Sequence, residues 1–171
     1  TRLVSAGYTE GFYYNPRIDK DLLREHRDGL ICMSACVSGE VAHLIQTDDL
    51  AAAEEAAREY MDIFGEDYYL EIQRHGIDIE AKVNDGLLKL HKKLDVPLVA
   101  TNDFHFLQAD DHAAHDALIC IQTGKMLADP PTQRMCYPTG LYMKSPAEMQ
   151  ELFADLPQAI ENTVAIAEKC D

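Results

Sequence analysis

Along the chain, short dense apolar runs alternate with longer stretches of helical spacing. Leu30 to Met33 is the first such run, closed by the turn residues of SACVSGE, and it predicts a short buried strand. SACVSGE leads into a helix that HLIQ continues, with Gly39 offering backbone dihedrals closed to other residues. Residues 49–63, DLAAAEEAAREYMDI, predict the clearest helix. Alanine and glutamate favour it, and Asp48 or Asp49 can cap it. Leu50, Ala53, Ala57, Tyr60 and Met61 recur there at helical spacing, and Gly65 ends the pattern. YYLEI (68–72) then reads as a strand, 79–93 as a second amphipathic helix with Val83, Leu87, Leu88 and Leu90 near one side, and VPLVA (96–100) as another strand.

Strand, helix, strand, helix, strand implies a largely parallel sheet covered on both faces, or a barrel of the same units. Such sheets keep their chemistry at the carboxyl ends of the strands. SAC and ATNDFH both fall at such ends. Outside this centre the pattern is looser. The first twenty residues mix aromatics with Gly7, Gly11 and Pro16, and a short helix is predicted after Asp19. A helix is predicted over 110–122, then an irregular connection rich in proline, with a weak boundary over 124–141. SPAEMQELF (145–153) carries a full start signal: Ser145 as cap, Pro146 in the first turn and Glu148 to complete a capping box. A last helix runs from residue 157, with Ile160, Val164 and Ala167 in register.

Composition narrows the classes. The 171 residues are 47% apolar, enough for one domain with a real core, or for one with a small appendage. No stretch is long and apolar enough to span a membrane. The chain opens with Thr1 and reads like the middle of a protein, so an excised piece is expected. A net charge of −15 argues against a broad nucleic-acid surface, which needs a basic patch. The five cysteines, Cys32, Cys36, Cys120, Cys136 and Cys170, make a poor disulfide framework. Cytosolic thiols are expected.

The chemistry-bearing candidates sit after the strands. Asp103 and His105 are two apart, so in an extended segment both project to one side. Cys36, after the earlier strand, can offer a thiolate to the same crevice. Cysteine, histidine and aspartate together suit zinc, while histidine with carboxylates also suits manganese or iron. Glu71 and His75, around the end of YYLEI, can join as ligands, or Glu71 can orient one. Each has a plainer reading. Asn-Asp after a strand is common turn chemistry, Cys36 can be a small buried group, and His75 before Gly76 can be a strand-end turn. His112 and His115 share a helix face but read as solvated, and His26, His43 and His91 have no further claim. There is no glycine loop for phosphates and no nucleophile elbow. No carboxylate pair of the kind that holds two ions stands out.

Taken together, GLICMSACVSGEV, YYLEIQRHG, LVATNDFHF, AAHDALICIQTGK and YMKSPAEMQELFADLPQAIENTVAIAEKC resemble the bacterial replicative DNA polymerase III alpha subunits, the C-family polymerases. The likeness covers essentially the whole chain. It falls on their PHP (polymerase and histidinol phosphatase) domain and the join to the polymerase core, and the closing string is the most specific part. The resemblance implies an α/β fold, a partial PHP-type distorted (β/α)7 barrel with a C-terminal helical extension. Residues 1–124 would be the later part of the PHP domain, and 125–171 the connection and helices leading toward the core. It also implies that Cys36, Asp103 and His105 are metal ligands, with zinc or manganese at the PHP site and magnesium in the polymerase core. The resemblance further implies that such a cluster can support zinc- or manganese-dependent 3'–5' proofreading, while members that have lost the ligands keep the domain for stability or for binding the proofreading partner.

The family's opening His-x-His motif and its next histidine and glutamate motifs do not occur in this sequence, and the likeness places them before Thr1. The three polymerase aspartates would lie beyond residue 171. The expectation is therefore a piece of a DNA-directed DNA polymerase that is inactive by itself, with no catalytic residue of its own. The parent would bind primed DNA, deoxynucleoside triphosphates, the sliding clamp and other replisome subunits in the cytoplasm. The piece, short of its early strands, would tend to self-associate through an exposed sheet edge. The alternatives are a free-standing PHP-family phosphoesterase, or a metal-free scaffold that docks replication partners.

Overall fold

The computed structural model describes residues 1–170. Its centre is a parallel sheet in the order β1 (Cys32–Met33), β2 (Tyr68–Ile72), β3 (Leu98–Ala100). Cys32 stands opposite Tyr68, and Leu70 opposite Leu98. β2 is the middle strand, and Tyr68, Leu70 and Ile72 are wholly buried. A strand covered on both faces reads as a continuous apolar run, which is why YYLEI was legible. Helices α3 (Glu40–Gln46) and α4 (Leu50–Phe64) connect β1 to β2, and α5 (Asp78–Leu94) connects β2 to β3. The fold is thus mixed α/β with a small parallel sheet, and among the described residues that sheet has three strands and no closed barrel.

The core lies between these helices and the sheet, with Val41, Ala53, Ala57, Val83, Leu87 and Leu90 packed against β2 and β3. Small residues set the spacing. A Cβ on Gly86 of α5 would meet Ile45 Cγ2 at 2.5 Å, so α3 and α5 approach as closely as they do only with glycine there. Asp49 caps α4 by accepting from the Ala52 amide at 3.0 Å. The expected stripe on α4 is shifted at its start: Leu50 is exposed, and Ala56 and Ile63 join Ala53 and Ala57 in the core.

Three other expectations change. The first apolar run pairs only over Cys32–Met33, with Leu30 and Met33 exposed, because among the described residues no further strand pairs with the outer edge of β1. Gly39 has ordinary dihedrals (φ −64°, ψ 155°). What excludes a side chain is space, since a Cβ would stand 2.3 Å from the Ser34 carbonyl. A helix not read from the sequence, α1 (Arg2–Thr9), precedes α2 (Lys20–Glu25). It has no side-chain cap and buries only Gly7, so neither a start signal nor a stripe marked it.

The C-terminal helices complete the same core. After α6 (His112–Thr123) and the irregular connection come α7 (Pro146–Leu152) and α8 (Pro157–Lys169). The Ser145–Glu148 capping box forms as predicted. α8 lies along the outer edge of β3, where the Asn162 amide donates to the Leu98 carbonyl at 2.7 Å. Its packed side is Ala159, Ile160, Thr163 and Ile166, while Val164 and Ala167 face solvent. The helix is rotated from the expected register because Ala159 and Asn162 must meet β3. Phe153 is fully buried below the Arg74 guanidinium, 4.8 Å from its ring, and Arg74 also holds Asp155 at 2.6 Å.

Phe153→Ala should lower unfolding free energy by about 3–5 kcal/mol, read by urea denaturation. A small loss would mean that α7 and α8 are not part of the cooperative core. The α7 cap gives a pH expectation. The Tyr142 hydroxyl, then Ser145, hold the Glu148 carboxyl at about 2, below its ordinary 4.5. A depressed carboxyl stabilises above the ordinary value and loses that effect as pH falls toward the lowered one. The NMR shift of the Ser145 amide, which donates to the Glu148 carboxylate at 2.8 Å, should therefore report the loss of that carboxylate near pH 2 and not near 4.5, and Glu148→Gln should abolish that change.

Candidate functional site

The carboxyl end of the sheet is closed by three polar side chains, one per strand. Beyond β1, the Ser34 amide extends the ladder to the Tyr69 carbonyl at 3.0 Å, and its hydroxyl accepts from the Glu71 amide at 2.9 Å. Beyond β3, the Thr101 amide donates to the Ile72 carbonyl at 3.1 Å. Between them the Glu71 carboxylate accepts from the Thr101 hydroxyl at 2.5 Å and from the Gln73 amide at 2.9 Å. Glu71 therefore fixes where β3 turns away from the sheet.

Cys36 and Asp103 each follow two residues after these anchors. The turns that carry them contain non-glycine residues in the left-handed region: Ala35 at φ 65° and Asp103 at φ 40°. Such backbone costs roughly 1–3 kcal/mol and clusters where function fixes the chain. Asp103 and His105 are exposed, and Cys36 is half-buried. The His105 Nδ1 lies 2.8 Å from the Asp103 carbonyl. A carbonyl only accepts, so Nδ1 carries the proton and Nε2 is left as the ring's bare nitrogen. That is the arrangement in which histidines bind metals, one nitrogen tied and the other free.

The donor set, a thiol, a carboxylate and an imidazole with its Nδ1 tied, fits an ion of the zinc class in chemistry and in its place beyond parallel strands. Among the described residues, however, no three histidine, cysteine, aspartate or glutamate side chains are gathered closely enough to hold an ion. The sheet places Cys36, Asp103 and His105 on one end without closing them into a group.

His75 sits differently. Its side chain is 2% exposed. Nδ1 lies 2.6 Å from Glu80 Oε1, and Nε2 donates to the Asn102 carbonyl. Glu80, itself buried, also accepts from the His75 amide at 2.7 Å and the Ile77 amide at 3.2 Å. Both ring nitrogens are engaged, so His75 as placed holds structure: it ties the end of β2 to the start of α5 and to the peptide before Asp103. Gly140 packs against the same turn, where a Cβ would lie 2.7 Å from the His75 carbonyl.

The loop beyond β3 is also stitched to the later connection. The Asn102 side chain donates to the Tyr142 carbonyl at 2.8 Å, and the His105 amide to Leu141 at 2.8 Å. Around His105 stand two rings, Tyr137 and His115, of which the histidine was expected in solvent. Tyr137 lies 4.9 Å from the His105 ring centroid and His115 lies 5.9 Å away, edge to face. His115 is half-buried, with its Nδ1 shut from solvent and without a partner among the described residues. Burial, and then His105 and His112, push its pKa down. His112 holds the Tyr137 carbonyl through Nε2 at 2.9 Å. The only sequence trace of this cluster was two histidines three apart on a helix soon after the loop. Nothing announced Tyr137, which is 22 residues further on. The five cysteines are all free, and burial raises the Cys32 thiol to about 11, which leaves it a packing group.

Known proteins supply the wider context. The family model described as PHP domain matches residues 1–75. The chain is 47% identical over 170 residues to a protein of Borreliella burgdorferi, 44% identical over 179 residues to one of Campylobacter jejuni, and 43% identical over 171 residues to one of Treponema pallidum. Each is named DNA polymerase III subunit alpha, and each alignment covers 99% of this chain. The chain spans only about 15% of the length of these curated relatives.

Glu80→Ala strips the buried His75 ring and two amides of their acceptor. Breaking a buried pair from one side costs about 3–5 kcal/mol, and urea unfolding should show a loss of that size. A loss within about 1 kcal/mol, the scale of an exposed pair, would show that water screens this contact.

Proposed function

We propose that this chain works as part of a bacterial replicative DNA polymerase, on the premise that it is homologous over its length to the PHP-domain region of DNA polymerase III subunit alpha. The whole subunit's activity would be template-directed DNA synthesis in the cytoplasm, on primed DNA and deoxynucleoside triphosphates, with magnesium in its polymerase core and the sliding clamp and other replisome subunits as partners. The chain's own contribution is metal-binding and structural, and it is inactive alone. Residues 1–124 belong with a distorted (β/α)7 barrel of the PHP type, and 125–171 lead from it toward the polymerase core.

The observation that carries the metal reading is the common exit of Cys36, Asp103 and His105 at the carboxyl end of one parallel sheet, with the His105 Nδ1 already tied to a carbonyl. Those three residues would hold zinc or manganese together with donors from elsewhere in the longer subunit. When bound, the ion supplies Lewis-acid chemistry suited to hydrolysis of a phosphodiester, the basis of 3'–5' proofreading. Glu71 and His75 act behind the ligands: one fixes the departure of β3 and the other pins the peptide before Asp103.

The open edge of β1 supports a chain built to be completed by other strands. Beside it runs a cleft of about 600 Å³ lined by Ile18, Leu23, Cys32, Met33 and Tyr68, and the buried Tyr68 hydroxyl has no partner among the described residues. Unpaired edges invite further strands. We assign the natural occupant to the rest of the subunit, and self-association of the isolated chain to the same edge.

A second reading, a scaffold that docks replication partners without metal, draws on the absence of a gathered three-ligand group among the described residues. Metal analysis of the full-length protein separates the two. Zinc or manganese content should fall in Cys36→Ser and in His105→Ala while the fold persists by circular dichroism. Unchanged metal content in both variants would leave the scaffold standing. Loss of 3'-end trimming on a labelled primer in the same variants would extend the reading to proofreading.

A further inference from the structure

The loop that carries His105 is fastened by the His105 amide to the Leu141 carbonyl and by the Asn102 side chain to the Tyr142 carbonyl, and neither bond holds the imidazole. The imidazole is exposed, and one hydrogen bond from Nδ1 still lets the ring swing. A ligand must hold a narrow orientation to bind an ion well. Something else must therefore limit the ring, and two rings stand against it.

We propose that His115 and Tyr137 are positioning residues for His105, forming two walls that keep its Nε2 turned outward. The proposal rests on the metal reading above for its purpose, and on ring geometry for its substance. Tyr137 covers the His105 ring at 4.9 Å with a 41° tilt, and His115 meets it edge-on at 5.9 Å and 84°. The walls brace each other, with centroids 5.2 Å apart. Edge-to-face and tilted pairs at these separations are attractive. Each wall is anchored separately. His115 rides on α6 and also packs on Phe106, 5.3 Å away, whose own ring is buried. Tyr137 is held to α6 through its carbonyl and His112 Nε2. The cage therefore joins the strand-end loop, α6 and the later connection at one imidazole.

His115 acts here as a ring and not as a ligand. Its Nδ1 is shut from solvent without a partner among the described residues, its ring stands against those of His105, Phe106 and Tyr137, and a benzene ring can take its place. That gives the test its discriminating arm. In the full-length protein, zinc affinity is measured by competition with a chromophoric chelator. His115→Ala and Tyr137→Ala should weaken binding on the order of 10- to 100-fold, the usual range for residues that orient a ligand. His115→Phe and Tyr137→Phe should stay within about threefold of the parent, because the walls remain. If His115→Phe loses as much affinity as His105→Ala, His115 is itself a ligand and the positioning role is wrong. If His115→Ala binds as the parent does, the wall is irrelevant and the proposal falls.

Crystals of the metal-free protein give a readout that needs no ion. The His105 ring should hold one orientation in the parent and in His115→Phe, and lose it in His115→Ala. An unchanged ring in His115→Ala overturns the cage. Should His105→Ala leave zinc binding untouched, the metal reading fails on its own, and ring orientation alone then decides whether the cage exists.

Discussion

At the centre of the structure a histidine and a glutamate face each other out of water. His75 and Glu80 are both buried, and the glutamate also accepts the His75 and Ile77 amides at the start of α5. Charged or strongly polar groups can be buried only when their partners are complete. Here completeness requires three pieces of chain to arrive together: the end of β2, the first turn of α5 and the Asn102 carbonyl beyond β3. Movement of any one leaves a polar atom unpaired. The pair therefore sets the position of the peptide that precedes Asp103, and the candidate site inherits its geometry from that contact.

From that point outward the carboxyl end of the sheet is over-determined. Ser34, Glu71 and Thr101 bridge neighbouring strands just where they end. Immediately beyond, the backbone turns through left-handed dihedrals at Ala35 and Asp103. Strain of this kind survives only where the surroundings fix it, and these are the two turns that bear Cys36 and Asp103. The opposite situation holds at the β1 edge, where the strand is two residues long, Met33 is exposed and the Tyr68 hydroxyl lacks a partner among the described residues. One end of the sheet is finished and one edge is open.

The later third of the chain closes the opposite edge. α8 supplies Asn162 to the Leu98 carbonyl, Phe153 fills the core under Arg74, and residues 141–143 run beside the loop that bears His105. The connection over 124–141, irregular in sequence, is thereby part of the site's frame: it brings Tyr137 to His105 and Gly140 to His75. Glu40, Glu59 and Asp62 meet Lys20 and Arg24, fastening α2 across α3 and α4 through exposed pairs of modest worth.

The sequence by itself determined what depends on local periodicity and local chemistry. β2, α4, α5 and the parallel order followed from apolar spacing, because those elements bury a fixed face. The Asp49 cap and the Ser145–Glu148 box followed from side chains that reach only three residues. The family likeness was legible in strings such as LVATNDFHF. Tertiary structure alone decided what depends on distant partners. β1 shrank because among the described residues no further strand pairs with its edge, α8 turned its face to meet β3, and Gly39 proved necessary for space and not for dihedrals. His75 found Glu80 and Asn102, and His115 left solvent for Tyr137 and His105. A histidine's role is set by what faces its two nitrogens. For His75 those neighbours lie 5 and 27 residues away along the chain, separations that no local pattern records.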